Sequence, residues 1–162
     1  MCTSGDYVAY PMRCTQNPTM GEEWRKGWHP ERIARASSND KILVVGGGPS
    51  SLEATLALSN RGYDVTLAEA DTELGGRVLH ETKLKPLNQW KRVADHRTYM
   101  LSSRANVRSF TESKLDADAV FELGCEHVAI ATGSKWRTDL IGIHHRFPSF
   151  LSIWINSRPS TI

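Results

Sequence analysis

A short apolar run that ends in three glycines and a proline constrains this chain more than any other feature. Lys41-Ile42-Leu43-Val44-Val45 is continuous and rich in β-branched residues. That suits a strand buried on both faces of a parallel sheet. Gly46-Gly47-Gly48-Pro49-Ser50-Ser51 follows at once. Gly46 permits the tight turn out of the strand, and Pro49 stands at a natural first helical position, where a backbone N–H is not needed. Leu52, Ala54, Leu56, Ala57 and Leu58 then supply the apolar side of a helix. Gly62, after Arg61, can take the left-handed conformation just past a helix end. Val65-Thr66-Leu67-Ala68 reads as a second strand, closed by Glu69 and Ala70. The whole is a βαβ unit of about thirty residues, the size of a dinucleotide-binding motif.

The glycine string reads G-x-G-x-x-S. Gly48 lets backbone approach a pyrophosphate with no Cβ in the way, and the helix opening at Pro49 and Ser50 offers free N–H groups and a partial positive charge. The third position, which favours glycine for close packing of helix on strand, holds Ser51, small enough to fit less closely. Glu69 lies twenty-one residues after Gly48. A carboxylate there can accept both ribose hydroxyls of an adenosine and would repel a 2′-phosphate. ADP, FAD and NAD are therefore compatible and NADP is disfavoured. A glycine-rich turn with a surface glutamate would share these residues but not their order of strand, glycines, helix, strand and acid.

Farther along, Trp90, Val93, Met100 and Leu101 predict a helix from about Leu87 to Ser103, and Val107 to Phe110 a short strand. Ala117, Val120 and Phe121 predict a short helix stopped by Gly124. His127-Val128-Ala129-Ile130-Ala131 reads as a buried strand, with Cys125 packed at its start and Thr132-Gly133 at its end. Alternating strands and helices imply an α/β fold. The expectation is an incomplete Rossmann-like (FAD/NAD(P)-binding) parallel sheet over 41–133, an irregular N-terminal arm over 1–40, and an irregular tail over 134–162.

Composition narrows the class. A net charge of +2 is too balanced to argue for nucleic acid. No run of eighteen apolar residues exists to cross a membrane, and the N-terminus reads as no secretory signal. Three cysteines, Cys2, Cys14 and Cys125, without an export signal suggest a reducing, cytoplasmic setting rather than a disulfide scaffold. His29 precedes Pro30 and reads as structural. His144 and His145 are adjacent, so their side chains diverge and a surface loop suits them better than a metal site. Trp24, Trp28, Trp90 and Trp136 are expected as core or interface anchors, and Lys91, Arg92, Arg97, Arg104 and Arg108 as a solvated helix face.

Further strings carry a family resemblance. Pro11-Met12-Arg13-Cys14-Thr15-Gln16-Asn17-Pro18, Gly21-Glu22-Glu23-Trp24 and Gly27-Trp28-His29-Pro30-Glu31 precede the nucleotide loop; Leu74-Gly75-Gly76-Arg77 and the Ala131-Thr132-Gly133 strand end follow it. Together, over about residues 1–145, they resemble trimethylamine/dimethylamine dehydrogenases, iron–sulfur flavoproteins related to dienoyl-CoA reductases. The resemblance implies that Gly76, Arg77, Thr132 and Gly133 join Gly46, Gly48, Pro49, Ser50, Ser51, Glu69 and Ala70 at a bound ADP or FAD. It implies that Cys2 and Cys14, twelve residues apart, match the third and fourth ligand positions of a [4Fe–4S] cluster. In the intact protein, it implies an FMN-carrying barrel, oxidation of a small methylated amine, single-electron transfer through the cluster to an electron-transferring flavoprotein, and a homodimer.

The barrel, the first two cluster cysteines, the closing strand of this fold and the second nucleotide fold are not in the sequence, so a fragment is expected. Four thiolates are needed for such a cluster, so the chain as written is not expected to hold one stably. No residue reads as catalytic. The alternatives are a non-catalytic ADP/FAD-binding module and a piece of an NAD(P)H-dependent dienoyl-CoA reductase-like flavoenzyme. The tail from Phe147 to Ile162 fits none of these, and a truncation or reading-frame change would explain it.

Overall fold

The structure is a computed structural model that describes residues 13, 14, 16–21 and 33–134. The tail after 134, most of the N-terminal arm, Cys2, Trp24, Trp28, His29, Trp136, His144 and His145 lie outside the described residues. Strand β1 spans Lys41–Val45, helix α1 Pro49–Arg61 and strand β2 Asp64–Ala68. These are the elements the βαβ reading predicts, with Gly62 in the left-handed conformation capping α1. After them come α2 (Arg77–Glu81), a 3-10 helix (Lys85–Lys91), α3 (Arg92–Ser102), β3 (Val107–Phe110), α4 (Ala117–Glu122) and β4 (His127–Ile130).

The four strands form one parallel sheet in the order β3-β2-β1-β4. The chain thus steps outward from β1 through β2 to β3, then returns to pair β4 on the other side of β1. Between β1 and β4 the winding reverses, and in open α/β sheets ligands bind beyond the carboxyl ends of the strands at such a point.

One face of the sheet is well covered. Ile42 and Val44 of β1 and Val65 and Leu67 of β2 alternate onto it and meet Leu52 of α1 and Ala94 and Leu101 of α3. Fully burying an aliphatic side chain of this kind stabilises by about 1.5–3 kcal/mol, so this layer anchors the fold. Arg97 joins it: the side chain is buried, its Nε donates to Glu53 Oε2 at 2.5 Å, and its terminal nitrogens donate to the carbonyls of Val93 (2.9 Å) and Gln16 (3.3 Å). Its expected place on a solvated face is therefore corrected. It lies on the side of α3 that faces α1, where Glu53 supplies the opposite charge.

Two further expectations are corrected. Strand β4 is not buried: Val128 is 42% and Ile130 77% exposed, and Cys125 before it is only half-buried. Both side chains point away from the helix-covered face, in register with Leu43 and Val45, and among the described residues β4 is an edge strand. The single helix expected over 87–103 is two elements, a 3-10 turn opening at Lys85-Pro86 and then α3. Helix α2 follows Gly76 without a sequence signal, because five residues are too few to show an apolar period.

Candidate functional site

Gly46 closes β1 with φ +109°, a conformation that favours glycine, and a Cβ there would sit 2.5 Å from the Ala131 carbonyl oxygen. The glycine therefore does more than turn the chain: it lets the end of β4, Ala131 and Thr132, close against the end of β1. Ser51, wholly buried, ties the same corner, its hydroxyl donating to the Ala131 carbonyl at 3.2 Å. The serine expected to fit less closely than glycine thus fits with a hydrogen bond of its own.

Gly48 is different. Its φ of −73° is ordinary, and a Cβ built on it meets nothing within 4 Å. It faces open space at the amino end of α1, where Pro49 has no N–H and the N–H groups of Ser50 and Ser51 lack intrahelical partners. Aligned peptide dipoles add a partial positive charge there. Such a place suits an anion.

The second glycine pair comes back onto the first. The Gly75 N–H donates to the Gly47 carbonyl at 2.7 Å, and a Cβ on Gly76, which has φ +56°, would lie 3.1 Å from the Gly48 Cα. Beside them runs a cleft of about 710 Å³ lined by Ala70, Thr72, Gly76, His80 and Lys83 among others. That volume is within the range of small-ligand sites. Arg77 begins α2 and pairs with Glu81 at 2.8 Å. Thr132 is at the glycine turn, and Gly133, with φ +78°, lies next along the chain. The predicted residues Gly46, Gly48, Ser51, Gly76 and Thr132 are thus neighbours around one loop.

Glu69 is almost wholly buried, at 9% exposure. Its Oε2 accepts the Gly47 N–H and its Oε1 accepts the Asp71 N–H at 2.9 Å. Gly47, read from the sequence only as a variable position, belongs to the site: a Cβ on it would lie 2.6 Å from Glu69 Oε2 and 2.8 Å from Leu74 Cδ2. The run of three glycines was the available signal, since the dinucleotide pattern alone asks for only the first and last of them.

Cys14 lies in the described arm, where its sulfur accepts the Gln16 N–H at 3.3 Å. Cys2 lies outside the described residues. Among the described residues no group of three or more His, Cys, Asp or Glu side chains could hold a metal ion, and no helix is long and apolar enough to cross a membrane.

Comparison with known proteins agrees with this geometry. A family described as NAD(P)-binding Rossmann-like domain matches residues 44–112. Dimethylamine dehydrogenase of Hyphomicrobium sp. (strain x) is 36% identical over 141 residues, 84% of this chain and 19% of the relative. The solved structure of histamine dehydrogenase from Rhizobium sp. 4-9 matches with a TM-score of 0.83 and 56% identity, over 90% of this chain and 22% of that one. A 6-hydroxypseudooxynicotine amine oxidase from Pseudomonas geniculata N1 matches with a TM-score of 0.83 and 44% identity, over 91% and 22%. The chain thus spans about a fifth of the length of these relatives. The chain has an α/β, Rossmann-like nucleotide-binding fold, and its sequence is similar to one stretch of the dimethylamine and histamine dehydrogenases.

Proposed function

We propose that this chain is the adenine-nucleotide-binding part, for ADP or FAD, of an amine dehydrogenase-like oxidoreductase. The observation that carries the proposal is the open space over Gly48, bounded by the α1 amino end and Gly76. The pyrophosphate would lie there on the N–H groups of Ser50 and Ser51. The adenosine would extend past Glu69 and Ala70 into the cleft, and Arg77, Thr132 and Gly133 would flank it. On this reading these residues bind and orient the nucleotide.

The intact protein, on this reading, oxidises a small methylated amine at FMN and passes electrons singly through a [4Fe–4S] cluster to an electron-transferring flavoprotein, working as a homodimer. The likeness to dimethylamine and histamine dehydrogenases supports that class. Among the described residues no group of three or more His, Cys, Asp or Glu side chains could ligate the cluster. The purified full chain should release ADP or FAD on denaturation, detected by mass spectrometry, or should bind one of them in calorimetry. Absence of both would refute the binding role.

A further inference from the structure

We infer that Glu69 is a positioning residue for the anion site: its carboxylate fixes the shape of the glycine loop, in addition to any contact it makes with ribose. The inference rests on the nucleotide reading above. An acid serving ribose alone would project from the strand end into the ligand space. Glu69 instead turns inward and divides its two oxygens between the N–H groups of Gly47 and Asp71. Its own backbone is held on both sides, with its N–H donating to the Phe110 carbonyl at 2.8 Å and its carbonyl accepting the Ser113 N–H at 2.7 Å. The side chain therefore acts from a fixed base at the end of β2.

Gly47 is the element so held. Its N–H goes to Glu69 and its carbonyl to Gly75. Both peptide groups of the loop's middle residue are thereby committed within the protein. With the Gly47 N–H taken by a carboxylate, the donors left for a phosphate are those at the start of α1, so the carboxylate also sets which side of the loop the anion uses. A Cβ on Gly47 would lie against the Glu69 carboxylate and Leu74 Cδ2, so a side chain there would have to push the carboxylate away from the loop. This explains a third glycine that turn geometry and phosphate approach do not require.

The test uses the full chain, the variant Glu69→Gln, and two ligands, ADP and 2′,3′-dideoxy-ADP. Glutamine keeps the shape and can still bond a ribose hydroxyl. It can accept only one of the two N–H groups, because its amide NH2 must face the other. We expect Glu69→Gln to weaken both ligands alike, by about tenfold, the scale of one charge-assisted hydrogen bond. Amide exchange at Gly47 or Asp71 should quicken in the variant while that of Leu67 stays slow. A loss seen with ADP that disappears with the dideoxy ligand would overturn the inference and leave Glu69 a ribose ligand only; so would unchanged affinity for both, or unchanged exchange at both amides. Wild-type chain that binds neither nucleotide would instead remove the nucleotide reading itself, and this inference with it.

Discussion

At the scale of single residues, the glycines divide by what surrounds them. Gly46 is fixed by its positive φ and by the Ala131 carbonyl 2.5 Å from where a Cβ would stand. Gly46→Ala is therefore expected to destabilise the fold by about 3 kcal/mol or more, combining backbone strain with a clash against main chain, as measured by denaturant unfolding. Glu126 carries a pH dependence. Its side chain accepts the Lys41 N–H at 2.7 Å, and that bond, followed by one from its own N–H, holds the carboxyl below its ordinary value of 4.5. A depressed folded-state value means the stabilisation is present above the ordinary value and is lost as pH falls through the lowered one. A titration followed by NMR should place the Glu126 midpoint below 4.5, and a midpoint at or above it would show that the bond is not formed. The meeting of Gly46, Gly48 and Glu69 at one corner was legible because the βαβ order sets all three just beyond the carboxyl ends of β1 and β2. The inward turn of Glu69 was not, because it depends on Gly47 and Asp71 standing at the right distance. The burial of Arg97 was not legible either, since its partner Glu53 is forty-four positions away.

At the scale of elements, the βαβ unit was readable because its signals are local: a β-branched run, glycines, a proline at the helix start, a capping glycine. The exposure of β4 was hidden for the opposite reason. An apolar strand reads the same at the centre of a sheet and at its edge, and only the order β3-β2-β1-β4 reveals the difference. Helix docking also depends on contacts the sequence does not order. Arg97 joins α3 to Glu53 of α1 and to the Gln16 carbonyl of the arm. Arg97→Ala leaves those acceptors without their donor and should cost about 1–3 kcal/mol, with Glu53 remaining partly solvated. Loss of less than half a kilocalorie would indicate that the arm and α1 are held without it. The same variant should speed alkylation of Cys14 more than that of Cys125, because only Cys14 is joined to Gln16.

At the scale of the whole molecule, one sheet face is layered by α1 and α3 while Phe110, Val128 and Ile130 on the other are 50%, 42% and 77% exposed. Apolar surface of this extent beside an edge strand invites association. The full chain by itself is expected to melt at low temperature and to aggregate as concentration rises. ADP at a hundredfold excess over Kd should stabilise it by about 2.7 kcal/mol. A sharp monomeric melt without nucleotide would contradict that expectation. The binding role itself is tested most directly at Gly48, where a side chain would enter the proposed ligand space without touching the protein. Calorimetric titration of ADP into the wild-type chain and Gly48→Ala, with the melting temperature of each, separates fold from site. The variant should melt within a few degrees of wild type, since alanine costs only about 0.5–1 kcal/mol as a helix N-cap, yet lose ADP affinity by more than about tenfold, because the new methyl keeps pyrophosphate off the backbone. Equal affinity in the two proteins would show that the nucleotide does not lie on the glycine loop.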